Sequence, residues 1–488
     1  TQKCSLRNSK KGCVSSMSKN KLPQSNRSLE VRSPFNGKLV QTVKKHSLVE
    51  ALKMLQTAEH LFSKKENWLQ PSERIAILNR LADLVEKDAT KFAMLIAKEG
   101  GKPLTDAKIE VTRAVDGIRL ATKELLHVMR GEEIPMGHTA ASHGRFAWTM
   151  REPIGVVVAV SAFNHPLNLI VHQAIPAIAV GCPVIVKPAG TTPLNAMALE
   201  KLALKAGLPK GWFQVCVCNS AVAEKIVTDA RVAFFTFIGS AKIGWMLRSK
   251  LAPGTRCAME HGGVAPVIID DDVDLQSLIA PLSKGAFYHA GQVCVSVQRI
   301  YVPEKNAKKF AELMAAKAKK MIVGDPTKAT TEVGPLITHA EVDRVHDWVQ
   351  EAIKEGAKLL CGGKKLSPST YATTVLFNPP KNAKVSTDEV FGPVVCVYPY
   401  KTRLEAIEAA NSLNVSFQAA VFSKNIDVAI DTVKRLNAST VMVNDHTAFR
   451  VDWMPFGGRK HSGLGVGGIG YTMHDMTEAK LMIIKTGL

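Results

Sequence analysis

The chain has 488 residues, 46% hydrophobic and 22% charged, which suits a globular protein of two or three structural units. No apolar run reaches the roughly 20 residues of a spanning helix, which argues against a membrane protein. The formal charge of +20 would suggest a nucleic-acid partner. Seven of those charges lie in residues 1–29, which hold no acid, and the remaining +13 is spread among carboxylates without an aromatic-interleaved basic block.

The first thirty residues, basic and Ser-rich, read as a disordered tail, because no amphipathic period appears before Leu29. The same composition suits an organellar leader, and Met17 is an alternative start. From Leu48 to Met129 apolar residues recur three and four apart, as in Ile77-Leu78 through Leu84-Val85 and again in Phe92 to Ile96, which predicts a helical segment.

The texture then changes. Ile154 to Val160, Val184-Ile185-Val186, Phe213-Gln214-Val215 and Val232 to Phe235 are short β-rich runs, separated by helical stretches such as Leu167 to Val180 and Asn195 to Ala206. Strands apolar on both faces that alternate with helices predict a parallel sheet covered on both sides. A second set follows at Val267 to Ile269, Arg299 to Val302, Val394 to Val397, Ala419 to Phe422 and Val441 to Val443. The expected fold class is therefore α/β, with two stacked doubly wound parallel-sheet domains joined near Glu260 to Gly263. Residues 31–133 and 153–260 form the first, and 261–473 the second. Segments 134–152 and 474–488 are strand-like but fit neither sheet. They suit a small β extension that pairs subunits, or docking onto the same chain.

Nine cysteines, an odd number without zinc-ligand spacing, argue against a disulfide framework or a metal site and for a reducing compartment, the cytoplasm by default. Cys216 and Cys218 read as buried strand thiols. Cys294 follows a Gly-Gln turn, which can aim a thiol into a cleft beside exposed backbone amides; taken alone it reads as a packed core thiol. Glu260 ends an apolar segment against two glycines, where partial desolvation would raise its pKa toward that of a general base. Asn164 follows the strand at Ile154, at the strand end where open α/β sheets bind ligands. By itself it is a turn residue.

The ordered set changes this. Phe163-Asn164-x-Pro166, Lys187-Pro188, Phe237-Ile238-Gly239-Ser240, Glu260-x-Gly262-Gly263, Gly291-Gln292-x-Cys294, Glu389-x-Phe391-Gly392-Pro393 and Pro455-Phe456-Gly457-Gly458-x-x-x-Ser462-Gly463 occur in one order, with roughly 34 residues from Glu260 to Cys294. From about residue 31 to the C-terminus the chain resembles the aldehyde dehydrogenase superfamily.

The resemblance implies a Rossmann-like cofactor domain followed by a catalytic thiol domain. It implies Cys294 as nucleophile, Asn164 and the Cys294 amide as oxyanion hole, and Glu260 as general base for hydrolysis of a thioester to the free acid. It places Lys187 at the adenosine ribose, Gly239 and Ser240 at the pyrophosphate, and Glu389 and Phe391 at the nicotinamide ribose and ring. NAD-preferring members usually carry Glu where this chain has Gly190, so the cofactor is NAD or NADP. Ile238 and His261 replace a usual Thr and Leu.

The channel positions would be Arg113, His165, Leu167, Val293, Val295, His446 and Arg450, which hint at a small anionic or hydroxylated aldehyde. A homodimer or homotetramer is expected, with no nucleic acid, membrane or metal partner. The alternatives are a coenzyme A-acylating dehydrogenase, whose members typically lack the glutamate, and a non-catalytic protein that keeps the fold. Gly463-Leu464-Gly465-Val466-Gly467-Gly468 satisfies G-x-G-x-x-G. It reads as a mobile loop near the active site, beyond the last sheet segment, because no βαβ unit follows it.

Overall fold

The computed structural model describes residues 27–487. Most of the tail read from the sequence lies outside that range, but its last residues do not. The chain is already extended at Ser28–Arg32, which pairs antiparallel with Leu39–Lys44, so ordered structure begins inside the stretch expected to be tail.

The helical segment resolves into four helices, Leu48–Ser63, Pro71–Lys87, Ala89–Gly100 and Leu104–Val128. Their ends follow local chemistry. Ser47 and Glu50 form a capping box at the first, and Pro71 opens the second, where its missing N–H costs nothing. Gly101 stops the third in the left-handed region, at φ 71°.

The first sheet has six strands in the order Gly463–Leu464, Arg256–Glu260, Val232–Ile238, Val156–Val160, Val184–Lys187, Phe213–Val215. The five strands from 156 to 260 are parallel. Val156–Val160 lies inside the sheet; the chain winds outward from it on one side, then returns to build the other. That reversal leaves a crevice beyond the carboxyl ends of Val156–Val160 and Val232–Ile238, where open α/β sheets take ligands. Helix Asn168–Val180, buried at every residue, covers the sheet. Burying each of its Ile, Leu and Val side chains contributes about 1.5–3 kcal/mol.

The sixth strand corrects one expectation. Gly463 and Leu464 do not lie beyond the sheet but form its edge, antiparallel to Arg256–Glu260, with Gly463 opposite Glu260. A Cβ on Gly463 would sit 2.3 Å from the carbonyl oxygen of Met259, so this glycine serves close backbone approach.

The second sheet has seven strands in the order Lys358–Cys361, Thr374–Phe377, Val394–Tyr400, Arg299–Pro303, Pro266–Ile269, Gln418–Phe422, Thr440–Val443, parallel except for the first. The chain passes from one sheet to the other between Glu260 and Pro266. The two strand-like orphans pair with each other: Thr477–Lys485 runs antiparallel to Arg145–Pro153, and Glu133–Ile134 adds a third strand. Phe146, Leu481, Ile483 and Ile484 are exposed on this sheet. Among the described residues, no helix is long and apolar enough to cross a membrane.

Candidate active site

A cavity of about 670 Å³ occupies the crevice between the two sheets. Its walls bring together Asn164, Lys187, Gly239, Ser240 and Glu260 from the first sheet's strand ends with Cys294, Glu389 and Phe391 from the second.

Cys294 reaches this wall through a tight turn. After helix Leu275–Phe287 the backbone takes three consecutive left-handed residues, His289 (φ 48°), Ala290 (φ 56°) and Gly291 (φ 71°). The two non-glycine positions each cost on the order of 1 kcal/mol, so the surroundings must hold them. Gln292 does much of this: its side-chain amide donates to the carbonyls of His289 (3.2 Å) and Pro335 (3.1 Å), and its Oε1 accepts from Ile337 N–H at 2.9 Å. Gly291 is required, since a Cβ there would lie 2.1 Å from the Gly392 carbonyl oxygen.

Asn164, 5% exposed, donates from Nδ2 to the Gln292 carbonyl at 2.9 Å and so ties the first sheet's loop to the thiol's own turn. The second Nδ2 proton remains available. Burial raises the Cys294 thiol pKa, Glu389 and Glu260 raise it further, and Arg450 opposes them. The resting group is a thiol that needs a base.

Glu260 ends its strand on the cavity wall, where burial pushes its carboxyl up to about 7 against the pull of Arg450. Its Oε1 occupies space that Gly467 leaves open. His261, the departure beside this residue, also lines the cavity: Nδ1 meets the Gly239 carbonyl at 2.9 Å, and the ring packs 5.6 Å from both Phe237 and Trp245. It braces the Gly239 turn.

At the other end, helix Ala241–Arg248 starts at Ser240 with no side-chain cap, and Gly239 and Ser240 at this end, which carries partial positive charge, line the cavity. Lys187 adds a cation. A Cβ at Gly190 would meet nothing within 4 Å, and a neighbouring hollow of about 500 Å³ adjoins that position. Glu389 is pushed up to about 8 by burial, and its Oε1 is buried without a partner. Phe391 is held at φ 45° and meets Phe163 edge-on at 5.8 Å. An anion cradle, a lone cation and an orphaned carboxyl oxygen fit a dinucleotide's phosphates and ribose hydroxyls.

The two arginines on the wall differ. Arg113 is paired with Asp452 through Nη2 (2.6 Å) and Nε (3.2 Å). Arg450 forms no ion pair with a described residue: its guanidinium stacks 3.5 Å from the Phe456 ring centroid, and Nε has no partner. His165 lines the cavity with Nε2 3.2 Å from the Tyr288 hydroxyl, and burial with the nearby Lys102 charge keeps it neutral. Val293 and Val295 also line it.

Two expected channel residues are elsewhere. His446 is off the wall because its Nδ1 folds back to accept Ala448 N–H at 3.1 Å, while its Cβ packs on Gly285. Leu167 is wholly buried in the core. Asp452 and His172 went unread. Asn168 and His172, one turn apart in a helix whose one other polar side chain is Gln173, were the available signal, since they share a face and both donate to Asp452.

The family profile "Aldehyde dehydrogenase family" matches residues 22–482. The chain is 37% identical over 421 residues to 3-sulfolactaldehyde dehydrogenase of Priestia aryabhattai, covering 86% of this chain and 88% of that one. Among solved structures it is similar to aldehyde dehydrogenase 21 of Physcomitrella patens in complex with the reaction product succinate. That match has a TM-score of 0.91 at 34% identity and covers 95% of this chain and 96% of the other. Glyceraldehyde-3-phosphate dehydrogenase GapN of Methanocaldococcus jannaschii, complexed with NADP, matches at 0.89 and 34%, covering 94% and 99%.

Proposed function

The chain belongs to the aldehyde dehydrogenase family, and from that premise we infer that it oxidises a small anionic aldehyde to its carboxylic acid with NAD or NADP. The observation that carries this reading is the meeting of Cys294, Glu260 and Asn164 on one cavity that ends at an uncapped helix N-terminus.

Cys294 Sγ attacks the aldehyde carbon as its proton leaves through water in the cavity. The alkoxide of the resulting thiohemiacetal is met by the free Nδ2 proton of Asn164 and by the backbone N–H of Cys294. A nicotinamide held beside Glu389 and Phe391 would supply the hydride acceptor that lets this species collapse to a thioester. Glu260, whose carboxyl near 7 makes it a competent acceptor at neutral pH, then removes a proton from water as hydroxide adds to the thioester carbon; the C–S bond breaks, the acid departs, and Glu260 returns that proton to the Cys294 thiolate.

Gly239 and Ser240 would hold the pyrophosphate, Lys187 the adenosine ribose, Glu389 the nicotinamide ribose hydroxyls and Phe391 the ring. Gly190 carries no carboxylate to repel a 2′-phosphate, which admits NADP.

Arg450 receives the substrate's anionic group, since Asp452 already neutralises Arg113. His165, Val293 and Val295 shape the channel. The substrates or product named for the three relatives carry a sulfonate, a carboxylate and a phosphate. The exposed apolar strands at Arg145–Pro153 and Thr477–Lys485 suit pairing into a dimer or tetramer. Seven free cysteines among the described residues suit a reducing compartment such as the cytoplasm.

The test is a panel of short aldehydes with NAD or NADP, followed by absorbance of the reduced nicotinamide, with Cys294→Ala alongside. Turnover restricted to the intact thiol supports the reading; equal turnover in the variant rejects it. Product analysis with added coenzyme A tests the acyl-transferring alternative, for which an acyl thioester in place of free acid is the signature.

A further inference from the structure

Asp452 lies two residues from Arg450, yet it pairs with Arg113, which is far away in sequence. The reason lies in what surrounds the carboxylate. Oδ1 accepts from Arg113 Nη2 (2.6 Å), His172 Nε2 (2.7 Å) and Asn168 Nδ2 (3.3 Å), and Oδ2 accepts from Arg113 Nε at 3.2 Å. Asp452 is 5% exposed, as is His172. Although burial works to raise it, the hydrogen bonds from His172 and Arg113 hold this carboxyl far below the usual range, so it stays an anion.

His172 stands between Asp452 and Arg450. With Nε2–H committed to the carboxylate, the neutral ring presents the Nδ1 lone pair to Arg450 Nη2, 3.4 Å away. Burial and the two arginines push the His172 pKa down to about 4, so this tautomer persists at neutral pH. Arg450, which lines the cavity, is left with the Phe456 ring on one face, a neutral nitrogen at one Nη, and Nε buried without a partner.

We propose that His172 is a positioning residue for substrate charge: by occupying Asp452 and offering Arg450 only a neutral acceptor, it keeps the Arg450 guanidinium free for the anionic group of the aldehyde. This rests on the reading of Arg450 given above. Without His172, Arg450 can fold onto Asp452 and exchange an external anion for an internal one. Affinity for charged aldehydes then falls, while the chemistry at Cys294 is untouched.

The experiment compares succinic semialdehyde with uncharged butanal in the full-length enzyme and in His172→Phe, His172→Gln and Arg450→Met. His172→Phe keeps the ring volume and loses both nitrogens. Its KM for succinic semialdehyde rises about tenfold, with kcat within about threefold and the butanal KM unchanged. His172→Gln, whose amide can donate to Asp452 and accept from Arg450, recovers most of that loss. Arg450→Met raises the succinic semialdehyde KM at least as much as His172→Phe.

If Arg450→Met leaves the charged and uncharged substrates equally affected, the reading of Arg450 fails. If Arg450→Met separates them but His172→Phe does not, the role of His172 alone fails. Should His172→Phe not fold, the same comparison is made between His172→Leu and His172→Gln, and equal KM values in those two overturn the proposal.

Discussion

A Cβ added to Gly467 would lie 2.1 Å from Oε1 of Glu260 and 2.9 Å from the carbonyl oxygen of Phe456. The backbone cannot retreat, because Gly467 and Phe456 are bridged to each other. The carboxylate of the proposed base therefore rests against bare main chain, and only glycine at position 467 permits it.

Gly467→Ala should displace Glu260 and slow thioester hydrolysis while leaving thiol attack in place. The expected result is a fall in steady-state kcat of about tenfold or more, with a retained burst of reduced nicotinamide. Stopped-flow absorbance reads both. Loss of the burst together with turnover would place the damage elsewhere.

Activity should rise with pH through about 7, as Glu260 loses its proton. Stability should move the other way. Glu260 and Glu389 titrate near 7 and 8 in the folded chain against about 4.3 unfolded, so between those limits the native state binds more protons. The stability they contribute is full below the unfolded pKa and is lost as pH rises through the folded values. Melting temperatures of the intact protein and Glu389→Gln, taken from pH 5 to pH 9, should converge at low pH, and the variant should show the shallower decline.

The winding of the first sheet was readable because its strands are apolar on both faces, a pattern that Val156–Val160 and Val184–Lys187 keep almost without exception. The position of Cys294 was readable from its ordered neighbours. Relations between distant residues were not. Nothing local distinguishes Arg113 from Arg450, and the carboxylate that separates them lies 339 residues from Arg113. His446 failed for a related reason: the sequence placed it in the correct loop, but its ring answers to an N–H two residues away. The glycine run at 463–468 was read as a loop beyond the sheet because glycine is common in loops, whereas Gly463 serves the close approach of an edge strand to Met259.

Gly190→Glu should shift cofactor choice. The position opens on empty space, so a carboxylate fits there and repels a 2′-phosphate. The ratio of KM for NADP to KM for NAD should rise about tenfold or more, and direct titration of each cofactor by protein fluorescence should give the same ratio of Kd values. An unchanged ratio would mean that the adenosine ribose lies elsewhere.

Asp452→Asn should destabilise the fold by about 3 kcal/mol, because it leaves Arg113 facing a neutral amide in a largely buried site. A lower denaturation midpoint is the expected reading. A midpoint equal to that of the intact protein would show the pair to be dispensable.

The most direct test of the account traps the covalent intermediate. Glu260→Gln incubated with an aldehyde and NADP, then quenched in acid, should gain the mass of the aldehyde less two hydrogens, and peptide mapping should put that acyl group on Cys294. A protein that turns over aldehyde without such an adduct, or that carries it on another cysteine, would contradict the assignment of Cys294 as nucleophile.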